Sequence, residues 1–172
     1  MDLNLEKKYK DFTKEVKDFC KKYKGIHFID SSKVPLSGSF KSGEIKMTRS
    51  DWQKILIEKG YFARSIPSEY GGYGGESDII KSRIIAEEFA KSKIPPPMGG
   101  QGIDMLVPTL LELGTEEQKQ KYIKPTLHGE IIWCQGYSEP NAGSDLANLQ
   151  TKGELIDGNW VINGQKIWTS TA

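Results

Sequence analysis

The sequence predicts an α+β chain, in which an all-α helical part is followed by the start of an antiparallel β part. Three observations point there. Up to residue 129 the apolar residues recur mostly at intervals of three and four, the period of a helix with one buried face. From Glu130 onward they form short runs broken by the hairpin pairs Asp157-Gly158 and Asn163-Gly164. At the change sits Trp133-Cys134-Gln135-Gly136-Tyr137-Ser138-Glu139-Pro140-Asn141-Ala142-Gly143-Ser144-Asp145, bulky apolar residues running into a Pro/Gly turn. The predicted division is 1–129, helical, and 130–172, the first part of a β domain. A meander that stops after a strand leaves an open edge, so the β part is expected to be incomplete. A complete small sheet packed on the helices is the alternative.

The elements follow in order. Residues 2–24 form an amphipathic helix with Tyr9, Phe12, Val16, Phe19, Cys20 and Tyr23 inward, stopped at Gly25. A polar loop covers 30–48. Ser50 is the expected N-cap of a second helix carrying Trp52, Ile55 and Leu56, closed by Gly60. The glycines of 66–75 match neither phosphate-loop pattern and read as a connection between helices. A third helix spans about 76–92, with Ile79, Ile80, Ile84, Ile85, Ala86 and Phe89 on a broad apolar face, broken by Pro95-Pro96-Pro97. Residues 100–113 are apolar nearly all round, which predicts a helix buried between other elements. Thr115-Glu116-Glu117-Gln118 is a capping box for the next helix, with Tyr122 and Ile123 inward and Pro125 and Gly129 ending it. Strands are expected at Ile131–Tyr137, Leu149–Ile156, Trp160–Asn163 and Gln165–Ser170.

The 172 residues carry 24 basic and 23 acidic side chains with no long run of either sign, which argues against a nucleic-acid surface. Cys20 and Cys134 are far apart and lack clustered histidines, so neither a disulfide framework nor a metal site is expected. No run approaches the ~20 apolar residues of a membrane span. Early acidic residues read as neither signal nor transit peptide, and the expected compartment is the cytoplasm.

The enzyme templates fail one by one. Gly136-Tyr137-Ser138-Glu139 almost begins a nucleophile elbow, but Pro140 stands where its last glycine belongs. His27 and His128 lie in a loop and at a helix end. Glu87-Glu88 and Glu116-Glu117 read as surface and first-turn residues. Two polar-aromatic clusters remain, Gln135–Ser144 and Trp168-Thr169-Ser170. An indole beside hydroxyls and turn N–H groups suits a flat heteroaromatic ring. An ordinary sheet whose Trp residues plug a core accounts for the same residues equally well.

The stretch 133–145 closely resembles the flavin-binding signature of the acyl-CoA dehydrogenase family. Val161–Ser170 is similar to that family's second flavin segment, and Ile66–Gly72 and Gly114–Lys119 match its helical domain in order. The resemblance implies FAD as cofactor, held between a central β domain and a C-terminal bundle. It places Gln135, Gly136, Tyr137 and Ser138 along the isoalloxazine, with the Ser138 hydroxyl and backbone N–H groups on its pyrimidine edge. It implies that Gly143 allows close approach and that Ser144 contacts both cofactor and acyl-CoA. It has Trp168 pack against the ring, Thr169 contact the cofactor and Ser170 hydrogen-bond the flavin nitrogen that receives the hydride, and it has 100–113 help line the acyl pocket. The family's usual residues at 138, 141 and 170 are Thr, Gly and Thr, mild departures. The family's catalytic glutamate matches no residue here, so no catalytic residue is expected in this chain.

The reading is therefore the N-terminal part of an FAD-dependent dehydrogenase that oxidises acyl-CoA to trans-2-enoyl-CoA. Electrons pass to an electron-transfer flavoprotein, and the full-length protein is a tetramer or dimer. These 172 residues alone are expected to be inactive. A flavin monooxygenase or oxidase on the same scaffold, and a non-catalytic helical module, are the alternatives.

Overall fold

The computed structural model describes residues 7–29 and 45–169. Helix α1 (Lys7–Lys22) buries Tyr9, Phe12, Val16, Phe19 and Cys20, the stripe its spacing predicts. Most of the expected 30–48 loop lies outside the described residues. Short strands β1 (His27–Phe28) and β2 (Lys46–Met47) pair in parallel on either side of it, so His27 sits on a strand rather than in a loop.

Helix α2 (Arg49–Glu58) is capped by Thr48, not by Ser50. The Thr48 hydroxyl accepts from the Asp51 N–H at 3.0 Å, and the Asp51 carboxylate accepts from the Thr48 N–H at 3.3 Å. This reciprocal box satisfies two donors at once. Gln53, the residue that would complete a box from Ser50, is turned into the core, where its amide bonds Leu127 and Met98. Gly60 follows the helix at φ +66°, as the glycine stop predicts. The 66–75 segment is a connection, with one 3₁₀ turn at Ser68–Tyr70.

Helix α3 (Ile79–Ser92) is capped by the Asp78 carboxylate, which accepts from Ile80 and Lys81. Its apolar face is narrower than predicted: Ile84, Ile85 and Phe89 are buried, whereas Ile79, Ile80 and Ala86 are exposed. The helix packs on α1 along one side, which covers only part of the predicted face. It ends at Lys93, in the left-handed region at φ +55°, before the prolines are reached. Glu88 is no surface residue; it is 7% exposed, with Lys91 Nζ 3.0 Å from its carboxylate.

The core has two centres. In the first, Phe19 stacks against Trp52 and Phe89 at 5.7 and 5.9 Å and meets Tyr61 edge-on at 4.9 Å. The second joins Ile57, Tyr70, Val107, Ile123 and Leu127. Gln53, fully buried, ties α2 to the chain around the second. Its Nε2 donates to the Leu127 carbonyl at 3.1 Å and its Oε1 accepts from the Met98 N–H at 2.8 Å.

Residues 100–113 differ from expectation. A π turn at Gly102–Leu106 runs into helix α4 (Val107–Leu113), and along the two only Gly102 and Val107 are buried. Met105 and Leu113 are 43% and 78% exposed. Among the described residues this segment packs mainly on helix α5 (Glu116–Leu127), which covers one side of it. The Thr115–Gln118 capping box opens α5 as predicted, but the helix passes through Pro125 to Leu127. A proline in the last turn removes a single helical N–H, and the chain then turns at Gly129, φ +68°.

Hairpin β3 (Lys152–Ile156) and β4 (Asn159–Asn163) forms as predicted, with Asp157 and Gly158 at φ +49° and +78°. Two other expected strands do not form. Ile131–Tyr137 is extended but makes no continuous strand, and 165–169 is irregular, with Trp168 at φ +55°. A strand needs a laddered neighbour, and among the described residues the one backbone bond from 165–169 goes to Ser138, just past Tyr137. The hairpin itself turns Leu155, Trp160 and Ile162 to one face, 62%, 69% and 71% exposed. The architecture, helices and then antiparallel strands, is the one predicted.

Candidate functional site

The site is built where the chain leaves α5. Beyond Gly129 it bends at Glu130 and Ile131, whose N–H groups donate back to the Pro125 carbonyl, and Trp133 is wedged between α5 and the π turn. The indole N–H donates to the Thr126 hydroxyl at 2.8 Å, and the ring meets Tyr122 edge-on at 5.6 Å. On the other side lies Gly102, where an added Cβ would overlap the Trp133 ring. So placed, Trp133 brings Cys134, Gln135, Gly136 and Tyr137 opposite Gln101, Met105, Leu106 and Thr109. Between them is a cavity of about 280 Å³.

Residues 137–139 are held from behind. Glu139 N–H donates to the Ala142 carbonyl at 2.7 Å, which closes the turn at Pro140-Asn141. Asn141, where the resembled family usually has Gly, has no positive φ. The Glu139 carboxylate is buried and accepts from the Gln150 N–H at 2.7 Å, the Thr151 N–H at 3.0 Å and Lys166 Nζ at 2.9 Å. The Thr151 hydroxyl beside it, the Gln150 N–H and the Lys166 ammonium hold its pKa down at about 2. That hydroxyl oxygen is buried and meets no partner in good hydrogen-bond geometry. Lys166 Nζ also donates to the Tyr137 carbonyl at 2.9 Å, and the Ile167 N–H to the Ser138 carbonyl at 2.8 Å.

The predicted residues fall into three groups. Gln135, Gly136 and Tyr137 line the cavity together with Met105, Leu106 and Thr109 of the 100–113 segment. Ser138 is half-buried just beyond, while Gly143 and Ser144 are exposed past the turn. In the second cluster Trp168 is 86% exposed and Thr169 half-buried, and Ser170 lies outside the described residues. Through Lys166 and Ile167 the structure brings this cluster beside 137–138, although neither Trp168 nor Thr169 lines the cavity. Glu139 and Lys166 were missed from the sequence. Their only signal is an acid at the mouth of a Pro turn and a lysine 27 residues on.

His128 caps α5, with burial lowering its pKa, and lies 3.5 Å from Glu130. Cys20 is buried and Cys134 exposed, both as free thiols. Among the described residues no group of His, Cys, Asp or Glu is placed to hold a metal, and no helix is long and apolar enough to cross a membrane.

The donor set fits a flavin ring. One wall has Met105 and Leu106 flanked by the polar Gln101 and Thr109, and the other is the backbone of 134–137 with Gln135 and Tyr137. The volume of about 280 Å³ falls just under the roughly 300–1,000 Å³ of ligand sites, room for a ring rather than a whole dinucleotide. A Cβ built on Gly143 meets nothing within 4 Å, so space for a ligand lies open there.

Comparison with known proteins gives the family. The family model described as acyl-CoA dehydrogenase, N-terminal domain, matches residues 7–130, and that of the middle domain matches 134–172. The chain is 40% identical over 147 residues to acyl-CoA dehydrogenase IpdE1 of Mycolicibacterium smegmatis, covering 80% of this chain and 37% of that protein. It is 32% identical over 173 residues to the probable acyl-CoA dehydrogenase YngJ of Bacillus subtilis, covering 100% of this chain and 42% of that one. In the ChsE4–ChsE5 complex from Mycobacterium tuberculosis, a chain superposes with TM-score 0.58 at 28% identity, over 99% of this chain and 40% of its own length. The chain thus spans 37–42% of the length of these relatives.

Proposed function

Because the chain belongs to the acyl-CoA dehydrogenase family, we propose that it is the N-terminal part of an FAD-dependent enzyme that oxidises acyl-CoA to trans-2-enoyl-CoA. The observation that carries this reading is the cavity in which Gln135, Gly136 and Tyr137 face Met105, Leu106 and Thr109. A polar backbone wall facing the apolar Met105 and Leu106 suits a flavin edge beside an acyl chain.

Bound FAD supplies the acceptor for the β-hydride while the α-proton leaves to a base outside these residues. The chain's own residues bind and orient. Backbone N–H groups of Gln135–Ser138 and the Ser138 hydroxyl donate to the pyrimidine edge, where charge develops on reduction. Met105 and Leu106 exclude water from the reacting carbons. Gly143 admits the cofactor closely, Ser144 meets both cofactor and acyl-CoA, and Trp168, Thr169 and Ser170 pack on the ring. In this reading the exposed 100–113 face and the hairpin face of Leu155, Trp160 and Ile162 are covered in the full-length protein, which assembles as a dimer or tetramer. Its electrons leave to an electron-transfer flavoprotein.

The test is anaerobic addition of acyl-CoAs to the FAD-loaded full-length protein. The reading expects the flavin absorbance to bleach as enoyl-CoA forms. Absence of bleaching with short, long and branched acyl-CoAs alike would contradict it, and oxygen uptake in a separate aerobic assay of the chemically reduced flavin would then favour an oxidase or monooxygenase.

A further inference from the structure

We propose that the Glu139–Lys166 ion pair positions the flavin site, fixing the segment that carries Trp168 and Thr169 against the one that carries Gln135–Ser138. The inference rests on reading those segments as two walls of one FAD site.

In a regular sheet, a ladder of backbone bonds holds neighbouring strands about 4.7–4.9 Å apart. Here one backbone bond among the described residues, Ile167 N–H to the Ser138 carbonyl at 2.8 Å, joins the two walls. Lys166 supplies the rest. Its Nζ lies 2.9 Å from the Tyr137 carbonyl oxygen and 2.9 Å from Glu139 Oε1. Its stem passes over Gly136, where an added Cβ would come within 3.4 Å of its Cγ. The residue two places before Trp168 is thus anchored along Gly136, Tyr137 and Glu139.

Glu139 is in turn immobilised. Its side chain is 6% exposed, and two backbone N–H groups, of Gln150 and Thr151, fix its carboxylate. A carboxylate with three N–H donors upon it has little freedom to turn. Neither side chain lines the cavity, so any influence on a bound ring passes through the residues they hold. A buried ion pair is a weak net stabiliser because desolvation offsets its attraction, which leaves geometry as what this pair contributes.

The experiment compares the full-length protein with Lys166→Met, Lys166→Arg and the double variant Glu139→Gln/Lys166→Met. Each is stripped of FAD and reconstituted, with FAD affinity read by flavin fluorescence, apoprotein melting by circular dichroism, and the fine structure of the bound-flavin absorption band recorded. Loss of the anchor should weaken FAD binding by roughly 10–100-fold, as loss of supporting partners does at metal sites. It should also alter the flavin band. Lys166→Arg should recover part of both. The double variant leaves no buried charge unpaired, so its apoprotein should melt within about 4 °C of the parent. If Lys166→Met fails to fold, the double variant carries the comparison. Parental FAD affinity and an unchanged flavin band in the double variant would overturn the proposal while leaving the family reading intact. A parent protein that takes up no FAD would overturn both.

Discussion

The Trp133 indole N–H donates to the Thr126 hydroxyl at 2.8 Å, and this contact determines how the chain leaves the last turn of α5. Thr126 is 2% exposed, and its hydroxyl also donates to the Tyr122 carbonyl at 2.6 Å. Thr126→Val keeps the shape and removes both bonds. A net loss of about 0.5–1.5 kcal/mol per bond is expected. Thermal melting should fall by several degrees, with the Trp fluorescence maximum shifting as Trp133 resettles. An unchanged melt would show that the wedge, not the bond, holds Trp133.

Gln53 is the polar centre of the core. Replacing it with Leu preserves the bulk but leaves the Leu127 carbonyl and the Met98 N–H without their partner. A buried unsatisfied group costs about 1–3 kcal/mol, so Gln53→Leu should destabilise by at least that much in urea unfolding. An equal or higher midpoint would contradict the bridging role.

Acid should loosen the site's rear wall. The folded Glu139 carboxyl, at about 2, lies below its ordinary 4.5. A depressed carboxyl contributes stability that is fully present above about 4.5 and lost as pH falls through about 2. Asp78, Glu87, Glu116 and Glu130 are also lowered and act in the same direction. Stability should therefore fall between about pH 4.5 and 2, with the Gln150 and Thr151 amides exchanging sooner than those of α3. Glu139→Gln should flatten this dependence. A variant with the parental acid profile would show that Glu139 does not carry it.

Gly143→Ala separates ligand from fold. Nothing in the described protein lies within 4 Å of the added Cβ, so apoprotein stability should change by no more than about 0.5 kcal/mol. Yet FAD affinity should drop if the cofactor approaches there. Equal loss of both would place the glycine's role in folding.

How much the sequence showed depended on whether a residue's environment was local. The α1 stripe, the Thr115–Gln118 box and the Asp157-Gly158 turn are decided within a few residues, and all three formed as read. Ile131–Tyr137 has strand composition, but composition does not say whether a neighbour will ladder with it. The 100–113 segment was taken as buried from its apolarity, yet its covering depends on elements elsewhere. Glu88 read as a surface acid because α1, which packs against α3 with Cys20 on the Glu88 carbonyl, is distant in sequence. Glu139 drew no role of its own because Gln150, Thr151 and Lys166 lie well beyond it in the chain. For the site, Gln135–Tyr137 were legible through the motif. Their anchoring by Lys166 was not, since a lysine 27 residues beyond Glu139 has no periodic signal.

The central claim is that a flavin ring lies against Gln135–Tyr137, and Cys134 reports on it directly. That thiol is exposed and lines the same cavity, whereas Cys20 is buried. Alkylation by iodoacetamide should modify Cys134 quickly in the full-length apoprotein and much more slowly once FAD is bound, with Cys20 unreactive throughout. Identical Cys134 rates with and without bound FAD would contradict the placement of the cofactor.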